Sequence, residues 1–169
     1  MDKTDLQKKI ITQFGNKLRV RVCGLCIEND KILLINHHSL NKSGDFWGPP
    51  GGGMDFGFSA EENLAREFRE ETGLIVEVDQ FLFVHEYLKA PLHAIELIFL
   101  VKKIGGELSI GYDPEMDSQS QIIHDLRYLA MSEIKAFGKH EVHQLFHFAD
   151  DLAALQAMRG YYRWEDESK

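Results

Sequence analysis

The chain has no run of about 18 apolar residues, the length a helix needs to cross a bilayer, so no membrane span is expected. Its opening stretch, MDKTDLQKKIITQFGNK, is interrupted by charge and lacks the apolar centre of a secretion signal, so a cytoplasmic location is expected. Positive charge is also in deficit: 19 Lys and Arg against 27 Asp and Glu leave a formal net charge of -8. Extended nucleic acid and anionic membrane surfaces both select a basic face, and this balance argues against either as a partner. A small anionic substrate is compatible with it where cations mediate the contact. Cysteine is scarce too. Cys23 and Cys26 form a lone C-x-x-C with no second pair to complete a tetrahedral zinc site. In RVRVCGLCIEND, strand alternation points residues three apart to opposite faces, so both read as small strand residues.

With 169 residues, 44% of them hydrophobic and 27% charged, the chain suits a single domain over 1–169, with residues 1–16 as a helical arm. Leu6, Ile10 and Phe14 recur every four residues before Gly15, which predicts a short amphipathic N-terminal helix. LRVRVCGLCIE and KILLINHH, joined by NDK, read as a β-hairpin. A loop rich in Gly and Pro, NKSGDFWGPPGGGMDFG, leads to an acidic helix. Beyond it, LIVEVDQFLFVHEYL, AIELIFLVKK and QIIHDLRYLA are rich in β-branched and aromatic residues and read as strands. In HEVHQLFHFADDLAALQAM, Val142, Leu145, Phe146, Ala149, Leu152 and Leu155 stand at helical spacing, which predicts a closing helix packed on the core. A mixed sheet covered by helices follows.

The acidic helix carries the chemistry. Ser59 and Glu62 form an S-x-x-E capping box and Gly73 suits the left-handed residue after the last turn, so the helix is expected over 60–72. Leu64, Ala65, Phe68 and Thr72 cover one arc, and Glu67, Glu70 and Glu71 an adjacent one, with Arg66 and Arg69 toward the opposite flank. Arg66 is spaced i,i+4 from both Glu62 and Glu70, pairs worth about 0.2 to 0.5 kcal/mol each. Glu67 and Glu71 have no cation at such spacing. Oxygen ligands clustered without His or Cys suit a hard divalent ion, Mg²⁺ or Mn²⁺, and a solvated acidic face is the competing explanation. The glycines of PPGGG, which let backbone approach a ligand closely, favour the ion.

GGMDFGFSAEENLAREFREETGL, Gly52 to Leu74, resembles the 23-residue Nudix box, G-x5-E-x7-R-E-U-x-E-E-x-G-U, where U is a bulky aliphatic or aromatic residue. Gly52, Arg66, Glu67, Phe68, Glu70, Glu71, Gly73 and Leu74 fall on their positions, and Phe58 stands where the pattern has its first Glu. The order of elements from about Arg19 to Met158 is similar to the family's as well. The resemblance implies an α+β fold, an α/β/α sandwich with a mixed sheet, and a metal-dependent hydrolase of nucleoside diphosphates linked to another moiety. It implies Glu67, Glu70, Glu71 and the Gly51 carbonyl as metal ligands and Arg66 as the residue that orients the glutamates.

A carboxylate is the family's usual general base. The candidates are Glu115, favoured here, then Asp113 and Asp117 in GYDPEMDSQ, with Glu96 as a strand acid. Arg19 and Arg21 share one strand face and are candidates to contact a phosphate or ribose. Phe46, Trp47, Tyr87 and Tyr112 are candidates to stack on a base, with core or lid packing as the alternative. His140, His143 and His147 lack an adjacent H-E-x-x-H and read as a polar helix face rather than zinc ligands. Pro91 falls near, not at, the position where a proline in the family marks ADP-ribose hydrolysis, and it names no substrate. The expected partner is a small nucleotide, a homodimer is one of the oligomeric states left open, and Phe58 keeps a non-catalytic nucleotide-binding module as the alternative.

Overall fold

A computed structural model of the chain describes residues 3–38, 44–112 and 122–164, with side chains from residue 8 onward. Helix α1 (Lys3–Phe14) precedes the hairpin of β1 (Leu18–Glu28) and β2 (Lys31–His38), which pair antiparallel at Ile27↔Ile32. The Gly- and Pro-rich segment expected as a loop instead holds two short strands, β3 (Asp45–Gly48) on β2 and β4 (Gly51–Gly53) on β1. Glycine runs carry no side-chain period, so such a strand leaves no pattern in the sequence.

Helix α2 runs from Ala60 to Thr72 with the expected ends. The Ser59 hydroxyl accepts from the Glu62 amide, the Glu62 carboxylate accepts from the Ser59 amide, and Gly73 sits in the left-handed region at φ 71°. β5 (Leu74–Lys89) and β6 (Leu92–Gly106) form a long antiparallel pair, and β6 lies parallel to β1 from Leu18↔His93 to Cys26↔Val101. β7 (Ile123–Leu129) pairs antiparallel with β2, and β8 (Gly160–Arg163), unforeseen in the sequence, lies parallel to β5. The sheet path is β3-β2-β1-β6-β5-β8.

Two apolar clusters lie against the sheet. One joins Leu64 and Phe68 of α2 to Val22, Cys26, Leu33 and Val101. The other joins Cys23, Leu25, Ile98 and Phe83 to Ile134, Leu145, Phe146 and Leu155 from the C-terminal segments. Cys23 and Cys26 thus fall in different clusters, as alternation along β1 requires. Both are free thiols, and burial pushes both pKa values up.

The single closing helix expected over 140–158 does not form. Its place is taken by α3 (Met131–Lys135) just before it, a 3₁₀ turn over Gln144–His147, and α4 (Leu152–Ala157). Two local caps break it: the His143 ring accepts from the Leu145 amide at 3.2 Å, and Asp151 accepts from the Ala154 amide at 2.7 Å, each starting a new turn. The apolar set still reaches the core, since Val142, Leu145, Phe146, Ala149 and Leu155 are all buried.

Candidate active site

Helix α2 brings its glutamates against the glycines of β4. Glu67 and Glu71 are each only 2% exposed, deeper than a solvated face would leave them. The Glu71 carboxylate accepts from the Gly51 amide at 2.9 Å. At Gly52, a Cβ would sit 2.5 Å from the Glu67 carboxylate, so only glycine lets that side chain lie against the strand. Gly51 has φ 149°, and a Cβ there would collide with the Val22 carbonyl. Two adjacent glycines therefore hold the two buried carboxylates at the backbone of one strand.

Arg66 does not point to the opposite flank. Its guanidinium donates to Glu67 at 2.8 Å and to Glu70 at 2.8 Å, and stands 3.3 Å from Asp55. Burial works against its charge; Glu67, Glu70 and Asp55 outweigh that and raise its pKa above the ordinary value. The contact with Glu67 escapes helical-neighbour reasoning because it joins adjacent residues, reached by the long side chain curling over its own turn. A donor set of three carboxylates on one helix end, with a backbone cradle that a Cβ would fill, fits a hard divalent cation. Phe58 is 60% exposed and contributes its carbonyl to the Asn63 side-chain amide at 3.3 Å. Asn63 also accepts from the Asp55 amide at 2.9 Å, tying the loop before the helix to its first turn.

A cavity of about 450 Å³ lies beside this cluster, within the range of small-ligand sites. Arg21 lies at the junction: its guanidinium is 3.5 Å from the Gly51 carbonyl, and it also lines the cavity. Arg19, Arg21 and Lys89 put cations on a cavity wall of an otherwise acidic chain, and Phe46 and Tyr87 add aromatic rings. Trp47 is not there. It is 5% exposed and stacks on Phe137 in the core at 5.7 Å, because consecutive strand residues face opposite sides and Phe46 takes the cavity side.

Beneath Arg21 lies a buried polar network not anticipated as a unit. Glu96 sits 3.3 Å from the Arg21 guanidinium, 2.7 Å from His85 Nδ1 and 3.0 Å from His143 Nε2. Burial disfavours the Glu96 charge, yet His143, His85 and Arg21 hold its carboxyl well below the usual range. Burial pushes His85 down, against its bond to Glu96. Glu96, His85 and His143 are of metal-ligand types, but the Leu145 amide donates to His143 Nδ1, so the proton sits on Nε2 and faces Glu96 as a donor. A ligating nitrogen carries no proton, which makes this a hydrogen-bonded ion-pair network. His143 and His147 do not share a helix face: the His147 ring instead contacts the Lys139 carbonyl at 3.2 Å.

Glu115, Asp113 and Asp117 lie outside the described residues. Tyr112, half exposed, donates its amide to the Glu70 carbonyl at 3.1 Å, and the Gly111 amide donates to the Glu71 backbone carbonyl at 2.9 Å. No helix among the described residues is long and apolar enough to cross a membrane.

A family model described as NUDIX domain matches residues 17–149. An ADP-ribose pyrophosphatase of Methanocaldococcus jannaschii is 40% identical over 96 residues, which are 56% of this chain and 56% of that protein. An 8-oxo-dGDP phosphatase of Homo sapiens is 32% identical over 107 residues, 60% of this chain and 32% of that protein. The aligned stretch thus spans about half or less of these curated relatives. The crystal structure of a Nudix hydrolase from Nitrosomonas europaea superposes with a TM-score of 0.61 at 19% identity, over 86% of this chain and 79% of that one, a likeness of fold. The glutamates and glycines described above lie inside the matched region, which takes in most of the chain, and the protein belongs to the Nudix family.

Proposed function

We propose that this chain is a hydrolase that cleaves the pyrophosphate bond of a nucleoside diphosphate linked to another moiety, in the presence of Mg²⁺ or Mn²⁺. The observation that carries this reading is the pair of buried carboxylates, Glu67 and Glu71, held against the glycines of β4 next to a cation-lined cavity. ADP-ribose, in the name of one relative, is a nucleoside diphosphate linked to another moiety and supports this class; 8-oxo-dGDP, in the name of the other, is an unlinked nucleoside diphosphate and supports only the pyrophosphate bond as the target.

Glu67, Glu70, Glu71 and the Gly51 carbonyl would hold the divalent ion. When bound, such an ion neutralises phosphate oxygens and makes a water more acidic. Arg66 keeps Glu67 and Glu70 in one orientation through its two hydrogen bonds. Arg21, fixed by Glu96, presents positive charge between the carboxylate cradle and the cavity, where it would meet a phosphate or ribose. Arg19 would contact the same part of the nucleotide, and Phe46 would pack on the base. Glu115 is the general base in this scheme, three residues beyond the anchored Tyr112.

The test is a panel of nucleoside diphosphate sugars, dinucleotides and nucleoside di- and triphosphates, assayed for nucleoside monophosphate release with Mg²⁺, with Mn²⁺ and with EDTA. Metal-dependent release from at least one compound is expected. Binding without product on the whole panel would replace the hydrolase with a nucleotide-binding module, the alternative that Phe58 in the box keeps open.

A further inference from the structure

The region matched by the family begins at residue 17, yet the cavity has walls that lie before it. Ile10, Ile11 and Phe14 of α1 line the cavity together with Arg19, Tyr87 and Pro91. The Arg19 guanidinium sits over the Phe14 ring, 3.7 Å from its centroid. The Asn16 amide donates to the Pro91 carbonyl at 2.8 Å, pinning the end of α1 to the β5–β6 turn on the cavity rim.

The apolar side of α1 serves nothing else among the described residues. Among the described side chains of α1, from residue 8 onward, none belongs to either core cluster, and Ile11 remains 45% exposed. A helix of 12 residues is marginal in isolation, so its stability must come from packing. The surface available to it among the described residues is the cavity wall, where Ile10, Ile11 and Phe14 already stand.

We propose that α1 is a specificity element: it forms part of the pocket for the base of the nucleotide and is ordered further by the ligand it encloses. The inference rests on the nucleotide-hydrolase reading given above. It places Phe14 and Ile10 in contact with the base and leaves the carboxylate cluster untouched, since no α1 residue approaches Glu67, Glu70 or Glu71 among the described contacts.

Two measurements test it. The first is steady-state kinetics of Phe14→Ala and Ile10→Ala on the compound of the panel above that the wild-type chain hydrolyses. Stacking on a base is typically worth a ten- to hundredfold change, roughly, so KM of Phe14→Ala is expected to rise by about that factor while kcat stays level. The second is limited trypsin digestion, reading cleavage at Lys8 and Lys9, with the α,β-methylene analogues of ADP and GDP as probes. An analogue should slow cleavage in the wild-type chain and not in Phe14→Ala. Unchanged KM, or a fall in kcat alone, overturns the proposal. If the wild-type chain hydrolyses nothing, the hydrolase reading falls, and α1 is judged by digestion: protection lost in Phe14→Ala upholds its role, and no protection by either analogue ends it.

Discussion

Gly52→Ala is the sharpest probe of the carboxylate cradle. The added Cβ would stand 2.5 Å from both Cδ and Oε1 of Glu67, whereas ordinary contact begins near 3.4 Å, so the carboxylate has to retreat by about 0.9 Å. Glu67 is buried and is held by Arg66 at 2.8 Å, so that retreat breaks a short charged hydrogen bond rather than merely swinging a free side chain. Gly52 is not among the residues with positive φ, so alanine fits its backbone and the effect is confined to the side chain it strikes. A displacement of about 1 Å in a catalytic constellation costs on the order of a hundredfold in rate. Turnover of the substrate found in the panel should fall by about that factor, with weaker Mn²⁺ binding by calorimetry and a cooperative melt retained by circular dichroism. The neighbouring Gly51→Ala adds a backbone collision and a positive φ, so it should impair folding as well, which separates a damaged site from a damaged fold. If Gly52→Ala keeps turnover and Mn²⁺ affinity within about threefold of wild type, Glu67 does not act where it lies and the cradle reading is refuted.

Glu71→Gln keeps an acceptor for the Gly51 amide but removes the charge, so turnover should drop by orders of magnitude with little loss of stability, and EDTA should abolish turnover of the wild-type chain; a Gln variant within tenfold of wild type would contradict a ligand role. Burial first, and then the nearby Arg21 charge, lower the His37 pKa from 6.5 to about 4. The unfolded chain therefore takes up a proton that the folded chain refuses, so this stability is complete above pH 6.5 and falls as the pH drops toward 4, by at most about 3 kcal/mol. Melting temperature recorded across that window should decline in wild type and flatten in His37→Asn; an equal slope in both would remove His37 as the cause. Glu96 acts lower: its depressed pKa contributes stability above the ordinary 4.5 that is lost only as the pH falls further. Phe58→Glu should leave turnover within about threefold, because Phe58 is exposed and its carbonyl, not its ring, holds Asn63; activity appearing only in the Glu variant would make the natural chain a binder.

Helix α2 was legible because its signals are local: Ser59, Glu62 and Gly73 cap it within single turns, and the glutamate spacing lies inside the helix. The long strands were legible for the same reason, through β-branched and aromatic runs. The C-terminal segment expected as one continuous helix has the right apolar spacing, but the period of buried residues says nothing about where a polar side chain caps a new turn, and His143 and Asp151 both do so. Trp47 beside Phe46 shows the cost of treating neighbours on a strand as one site when alternation allows only one of them to face the cavity. Glu96 reads from the sequence as a lone strand acid; its assembly with Arg21, His85 and His143 leaves no local signal, because those partners come from different strands and a turn, and no local period links them.

That assembly explains why a chain would bury charge in its interior. Removing one partner of such a pair strands the other and costs about 3 to 5 kcal/mol, whereas apolar residues of similar volume would pack without that exposure to loss. Stability alone is thus a poor reason for two histidines and an arginine to converge on Glu96. Geometry is a better one: Glu96 takes hydrogen bonds from both rings, which fixes its own carboxylate, and the fixed carboxylate in turn sets the Arg21 guanidinium. Arg21 then reaches the Gly51 carbonyl on one side and the cavity on the other. Since Gly51 also carries the amide that holds Glu71, the same strand residue links the carboxylate cradle to the cation that lines the cavity. A displacement of Arg21 would therefore disturb both halves of the site at once, and the buried network beneath it is what prevents that displacement.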